Sequence, residues 1–169
     1  MTRRLNDFYE TPITVSYPLI KEILPFLKTP GYALDVGSGH GALTKEINRQ
    51  STIPVKSIEK YPKGIDFLTL EISQILPIFI ISNPPYSQAQ EFVSRMLLWK
   101  NDSNIIAILL RINFLGAQKR HNWWKSVPPF KLRILSTRPS FTYSGTDSTE
   151  YAWYVWGLPE ISLTIDWYQ

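Results

Sequence analysis

The sequence predicts an α/β fold: three layers built around a mostly parallel sheet with an antiparallel end. Three observations carry that expectation. Between Tyr32 and Lys125, short apolar runs alternate with segments whose apolar residues recur at helical spacing, a succession of βα units. Ile105 to Leu110 is a near-continuous aliphatic run of strand length, as in a parallel strand buried on both faces. The C-terminal stretch changes to strand period, with no helical spacing. In such a fold, ligands sit beyond the carboxyl ends of the strands.

Each element has its own reason. Leu19, Ile20, Ile23, Leu24 and Leu27 repeat at helical spacing after Pro18, whose position suits a first turn, and Pro25 should kink or end that helix. Tyr32 to Val36 reads as a buried strand, the glycines at 37, 39 and 41 as a tight turn, and Leu43 with Ile47 as the inward face of the next helix. Val55 to Glu59 is a second strand. Only six residues separate Glu59 from Asp66, too few for an ordinary crossover helix. A strand ending at Ser82 is followed by an amphipathic helix marked by Ala89, Phe92, Val93, Met96 and Leu97, with Ser87 and Gln90 as a capping box. Leu115 to Lys125 reads as a further helix. Leu132 and Ile134, Tyr151 to Trp156, and then Ile161, Leu163, Ile165 and Trp167 alternate as strands.

Composition narrows the function classes. At 169 residues and 44% hydrophobic, residues 1–169 are expected to form a single domain with its own core. Eighteen Lys and Arg against fourteen Asp and Glu leave a charge of +4, which suits a polyanionic partner. The absence of cysteine excludes thiol nucleophiles, disulfides and Cys-based zinc sites, and two scattered histidines make no metal cluster, so no metal is expected. Apolar runs are too short to span a bilayer, and no secretory segment follows the basic start. A soluble, cytoplasmic protein is expected, with no membrane partner.

The tetrapeptide Asn83-Pro84-Pro85-Tyr86, set where the run Pro77 to Ile81 stops, is the most informative local feature. Two prolines make a stiff segment whose carbonyls remain free to accept hydrogen bonds. The Asn83 side-chain oxygen and the Pro84 carbonyl can each take one hydrogen of a planar NH₂ group, while the Tyr86 ring offers a face for stacking. Adenine has that shape. Upstream, Asp35-Val36-Gly37-Ser38-Gly39-His40-Gly41 lacks the spacing of a dinucleotide or phosphate loop and fits a non-phosphate nucleoside better. Glu59 ends the next strand, where a carboxylate can accept both hydrogens of a ribose diol, and Asp66 can face an adenine amino group.

On these residues the chain resembles the class I S-adenosylmethionine-dependent methyltransferases of the amino-methylating branch. Phe8-Tyr9-Glu10-Thr11-Pro12 is similar to the N-terminal cofactor motif, Asp35 to Gly41 to the glycine-rich motif, Glu59 to the ribose acid, Asp66-Phe67-Leu68 to the adenine-side motif, and Asn83 to Tyr86 to the catalytic motif. Arg138-Pro139-Ser140-Phe141 with Gly145-Thr146-Asp147 resembles phage-type DNA N6-adenine methyltransferases, a setting of viral or restriction-modification enzymes. The resemblance implies a Rossmann-like three-layer sandwich whose seven-stranded, mostly parallel sheet has its last, C-terminal strand inserted antiparallel. It implies S-adenosylmethionine as cofactor and S-adenosylhomocysteine as product, with Tyr9, Thr11, Asp35, Gly37, Gly39, Gly41, Glu59, Asp66 and Asn83 as cofactor neighbours. Asn83, Pro84, Pro85 and Tyr86 would be catalytic, with Phe141 as the second stacking residue against the base. Two departures stand out: the helix between Glu59 and Asp66 is missing, and there is no insertion long enough for a separate target-recognition domain.

The expected reaction is methyl transfer to the N6 amine of adenine in DNA, the base being flipped into the Asn83 to Tyr86 pocket. Lys119, Arg120, Lys125 and Arg138, near Trp123 and Trp124 and joined by Lys131 and Arg133, are candidate nucleic-acid contacts, with DNA the expected partner and RNA possible. A homodimer or a partner protein could supply target choice. An RNA adenine methyltransferase, a protein glutamine methyltransferase and an inactive cofactor-binding subunit stay open as alternatives.

Overall fold

The computed structural model describes residues 9–71, 76–141, 148–158 and 164–168, the last segment through its backbone. Phe8, Gly145, Thr146, Asp147, Ile161 and Leu163, named above, lie outside the described residues. Seven strands form one sheet: β1 (Ala33–Val36), β2 (Val55–Ile58), β3 (Phe79–Ser82), β4 (Ile105–Arg111), β5 (Lys131–Leu135), β6 (Tyr151–Trp156) and β7 (Thr164–Tyr168). Their spatial order is β2-β1-β3-β4-β6-β5-β7. Strands β1 to β4 run parallel, and β6 lies antiparallel between β4 and β5. The expected fold class is therefore the observed one, Rossmann-like and mostly parallel.

The antiparallel member is one strand earlier in the chain than expected. β6 pairs antiparallel with β5 on one side and fills the place next to β4 on the other. β7 then lies parallel to β5 at the sheet edge, with Lys131 opposite Thr164 and Leu135 opposite Tyr168.

Helices cover both faces because the central strands alternate their side chains between two apolar clusters. Ile105, Ala107 and Leu109 point toward α1 (Ile13–Ile23) and α2 (Ala42–Gln50), meeting Leu19, Ile23, Leu43 and Ile47. Ile106, Ile108 and Leu110 point the other way, toward α3 (Ala89–Leu97) and the short α4 (His121–Ser126), meeting Phe92, Met96 and Trp124. β1, β3 and β6 are likewise buried throughout, whereas only Ile58 of the edge strand β2 is buried. Side-chain ties lock the layers: Trp153 Nε1 donates to the Val15 carbonyl at 3.0 Å, and the Arg133 guanidinium of β5 pairs with Glu22 of α1.

Several boundaries differ from the sequence reading, each for a local reason. α1 starts after Pro12, whose carbonyl accepts the Val15 and Ser16 N–H groups, so Pro18 lies inside the helix instead of in its first turn. Ile13 is 63% exposed, which hid that turn from an apolar count. Pro25 does end the α-helix, at Ile23, and a 3₁₀ turn follows. α3 begins at Ala89 behind a 3₁₀ turn over Tyr86–Gln88, so its N-cap is Gln88 and no capping box forms at Ser87. Leu115 to Lys125 breaks into a 3₁₀ turn and α4.

No helix lies between Ile58 and Asp66, as the short spacing requires. Phe67 instead drops into the core, its ring 5.8 Å from both Phe92 and Trp99. Among the described residues, no helix is long and apolar enough to cross a membrane.

The turn closing β6 sets a sharp steric limit. Gly157 has φ +88°, and a Cβ there would sit 2.1 Å from the Asn104 carbonyl oxygen, in the loop that Asn104 pins by donating to the Trp99 carbonyl at 2.7 Å. Gly157→Ala is expected to lower the unfolding free energy by about 2 kcal/mol or more, read by urea denaturation; a change within roughly 0.5 kcal/mol would contradict this packing.

Candidate active site

The carboxyl ends of β1, β2 and β3 converge on a cleft enclosing about 740 Å³, part of it open solvent. Its floor is the turn after β1. Gly37, Gly39 and Gly41 all take positive φ (+67°, +54° and +74°), which L side chains rarely adopt, so the backbone can curl over the strand end. The Gly37 and Ser38 N–H groups both donate to the Ile58 carbonyl, clamping the turn to β2.

Asp35 holds this turn from beneath. Its Oδ2 accepts the Thr44 N–H at 3.0 Å and the Thr44 hydroxyl at 2.7 Å, and Thr44 Oγ1 also meets Ser57 Oγ at 2.7 Å. The carboxylate thus caps the third residue of α2, whose own N-cap is the glycine Gly41. Asp35 is fully buried and does not line the cleft, and Oδ1 has no partner. Burial pushes its carboxyl up to about 6, against the lowering effect of the Thr44 hydrogen bonds, and the nearby Glu59 charge adds to the rise.

Glu59, Asp66 and Asn83 do line the cleft, with Tyr9, Thr11, Gly37, Gly39 and Pro85. Glu59 is oriented by two backbone donors: Gly39 N–H to Oε2 at 2.8 Å and Tyr61 N–H to Oε1 at 3.0 Å. Each oxygen keeps acceptor capacity toward the cleft. Asp66 is engaged differently, pairing through Oδ2 with Lys60 Nζ at 2.7 Å and accepting the Leu68 N–H on Oδ1. The hydrogen bond from Lys60 holds its carboxyl below the usual carboxylate range. An amino group facing Asp66 therefore shares it with Lys60.

The orientation of Asn83 follows from its neighbours. Nδ2 donates to the Tyr9 carbonyl at 2.9 Å and to Thr11 Oγ1 at 3.0 Å, and a carbonyl can only accept. The amide oxygen must then face the opposite way, where it accepts the Tyr86 hydroxyl at 2.9 Å and keeps a second lone pair. Among the described residues no hydrogen bond ends on the Pro84 carbonyl. Two consecutive residues after β3 thus carry acceptors with capacity left, Asn83 Oδ1 and the Pro84 carbonyl.

Aromatic rings close around Tyr86. Tyr9 stacks on it with centroids 5.7 Å apart and planes at 26°, Tyr151 lies at 5.5 Å, and the Arg111 guanidinium sits 5.0 Å from its centroid. Phe141 is 7% exposed and packs edge-on against Tyr151 at 5.2 Å, so it is part of the core that backs Tyr86 and Tyr9. A base stacking on Tyr86 has to displace one of these neighbours.

The basic residues separate into distinct groups. Lys119 and Lys125 are exposed, and Arg120 is half-buried with Nε donating to the Phe114 carbonyl at 2.9 Å. Arg138 is exposed but ion-paired with Glu150 at 2.6 Å. Lys131 and Arg133 are buried in β5 and leave the expected surface cluster, because a strand residue's face is set by its register. Trp124 is core as well, stacked on Tyr154 at 5.5 Å. Among the described residues, no group of three or more acidic or histidine side chains is placed to hold a metal ion.

Sequence reasoning missed Lys60 and Phe92 in the lining of the cleft, and Arg111 beside Tyr86, whereas Phe67, part of the motif at Asp66, does line it. Arg111 had a signal, since it is the last residue of a buried parallel strand, at the end where ligands bind.

No protein-family model matches the chain, and no curated protein matches it either. Solved structures do. A Listeria monocytogenes protein provisionally classed as a class I S-adenosylmethionine-dependent methyltransferase superposes with TM-score 0.64 at 10% identity, covering 92% of this chain and 65% of that one. The M protein of the type I restriction enzyme EcoKI gives 0.60 at 14% identity over 83% of this chain, which spans only 43% of the larger protein. The plantazolicin methyltransferase BpumL, in complex with SAH, gives 0.55 at 11% identity over 85% and 82%. At such identities the likeness is one of fold: the chain has the fold of class I S-adenosylmethionine-dependent methyltransferases.

Asp35 provides a test of the site's electrostatics. Its carboxyl holds a proton more tightly in the folded state than in the unfolded chain, so stability should fall as pH rises from about 4 to about 6 and be flat above about 7. The unfolding free energy of the wild type minus that of Asp35→Asn is expected to drop across this window by on the order of 2–3 kcal/mol. Denaturation curves that keep a constant separation from pH 4 to pH 7 would contradict the buried, raised carboxyl.

Proposed function

We propose that the protein transfers a methyl group from S-adenosylmethionine to the exocyclic N6 amine of adenine in DNA. The observation that carries this reading is the fixed orientation of Asn83, whose oxygen faces away from Tyr9 and Thr11 and keeps a lone pair beyond the Tyr86 hydroxyl. The fold shared with methyltransferases supports the cofactor, and the likeness to the M protein of a restriction enzyme favours DNA as substrate. The cleft suits the cofactor: a turn without side chains at Gly37 and Gly39, a carboxylate at Glu59 with both oxygens still able to accept, and half-buried Asn83 at the inner end.

Bound S-adenosylmethionine would supply an electrophilic methyl on sulfur. Adenine's amine is a poor nucleophile because its lone pair is delocalised into the ring. Asn83 Oδ1 and the Pro84 carbonyl would each accept one amine hydrogen, drawing the nitrogen out of plane and aiming its lone pair. Tyr9 and Thr11 act as positioning residues, since their hydrogen bonds stop the amide from flipping. No strong base is needed, because the nitrogen becomes acidic once methylated and releases its proton afterwards. In a duplex the base must first be flipped out, at a cost of about a few kcal/mol, so single strands and mismatches should react faster.

Labelled S-adenosylmethionine offered with DNA, RNA and protein should label DNA, and digestion should release N6-methyldeoxyadenosine. Label found only in RNA or in protein glutamine would replace this reading with the corresponding alternative. Asn83→Ala is expected to cut transfer at saturating S-adenosylmethionine by about 100-fold to 1,000-fold, far more than it weakens S-adenosylhomocysteine binding; an unchanged rate would remove Asn83 from the chemistry.

A further inference from the structure

A second cavity, enclosing about 1120 Å³ with part of it open solvent, shares four lining residues with the cleft: Glu10, Thr11, His40 and Ala42. The two spaces therefore have a common wall. Phe141 lines this cavity and not the cleft, and its ring packs 5.7 Å from Tyr9 and 6.5 Å from Tyr86. One ring thus connects the cavity to the stacking residue of the Asn83 to Tyr86 turn.

The mouth of the cavity continues into an exposed stripe. Ile13, Tyr17 and Lys21 recur four residues apart on α1, share one face and are all exposed. α2 lies alongside, tied by Gln50 Nε2 donating to the Tyr17 carbonyl at 3.3 Å, and presents exposed Lys45 and Arg49, again four apart. Ile13, Lys45 and Arg49 line the cavity itself. Tyr17 joins the two helices, with the Arg49 guanidinium 5.1 Å and Lys21 Nζ 5.8 Å from its ring centroid.

Carboxylates do not cancel this charge. Glu46 is buried beneath Arg49, accepting Nε at 3.0 Å and Nη2 at 2.7 Å, so Arg49 shares its charge. Among the described residues, neither Lys21 nor Lys45 pairs with a carboxylate, Glu10 of the common wall included. Cations interleaved with an aromatic ring and an exposed aliphatic side chain match a polyanion whose charges alternate with flat, partly apolar groups.

We propose that the second cavity and the α1–α2 stripe bind the nucleic-acid strand adjoining the acceptor nucleotide, with Lys21, Lys45 and Arg49 meeting its phosphates and Ile13 meeting a sugar or base edge. The inference rests on the reading that the protein methylates a nucleic acid. It places the strand on α1 and α2, at a distance from the Lys119 to Arg138 segment, two of whose cations are buried in β5.

The test uses a fluorescein-labelled single-stranded DNA that the wild-type protein methylates, titrated by anisotropy in the presence of S-adenosylhomocysteine. Arg49 is left intact, because its loss would strand buried Glu46. The double variant Lys21→Gln with Lys45→Gln should bind the strand about tenfold more weakly at 0.1 M salt, and its salt slope should fall by about 1.4, roughly 0.7 for each lost phosphate contact. KM for the strand should rise by a similar factor while kcat and S-adenosylhomocysteine affinity stay at wild-type values, which also shows that the variant is folded. Lys28→Gln with Lys56→Gln removes the same charge from exposed positions that line neither cavity, and should change binding less than twofold. Equal losses in the two double variants, or none in the first, would overturn the surface while leaving the methyl-transfer reading intact. If the wild type labels only RNA, the first variant's loss measured on that RNA keeps the surface and reassigns the strand. Label in neither nucleic acid would remove the functional reading and this inference with it.

Discussion

The two hydrogen bonds from Asn83 Nδ2 to the Tyr9 carbonyl and Thr11 Oγ1 are the constraint on which the site depends. They span more than seventy positions of sequence and tie the segment before α1 to the end of β3. An amide left to itself presents donor and acceptor ends interchangeably. Here a carbonyl settles the matter, and the acceptor end faces the other way, toward the Tyr86 hydroxyl. The rigidity of Pro84 and Pro85 would mean little if the asparagine could flip. Thr11 itself is only 6% exposed.

A second layer of support lies under the cleft. Asp35 is buried among apolar strand residues yet stays bonded to Thr44, so the glycine turn and the start of α2 move as one piece. The turn is clamped from the other side by the Ile58 carbonyl, and Glu59, the next residue, reaches back to the Gly39 N–H. The ends of β1 and β2 are therefore cross-linked through backbone groups that carry no charge, which leaves the Glu59 oxygens with capacity for a ligand. The burial of Asp35 costs stability at neutral pH, and the turn it organises is the compensating gain.

Charge and aromaticity read very differently in three dimensions than along the chain. Lys131 and Arg133 look like neighbours of Lys125 in sequence, but strand register buries them, and Arg133 serves α1 through Glu22. Arg138 is matched by Glu150. Arg111 and Arg120 both stand beside Tyr86, one ending a core strand and the other braced on Phe114. Tyr86 is likewise no bare platform: Tyr9, Tyr151 and Arg111 cover it, with Phe141 behind them.

The fold class and the outline of the site were legible in the sequence because they depend on local rules. Aliphatic runs such as Ile105 to Leu110 state a strand buried on both faces, positive-φ glycines state a tight turn, and Asn83-Pro84-Pro85-Tyr86 states a stiff pair of acceptors. The short gap after Glu59 likewise told that no helix fits there. The start of α1, the antiparallel placement of β6, the buried pairing of Arg133 and the partners of Asp66 were not legible. Each is decided by which distant segment arrives beside it, and period and composition carry no record of that. Sequence alone determined that a stiff pair of acceptors follows β3; tertiary structure decided which way Asn83 faces and which groups stand beside it, because a hydrogen bond's direction belongs to the pair of groups that make it.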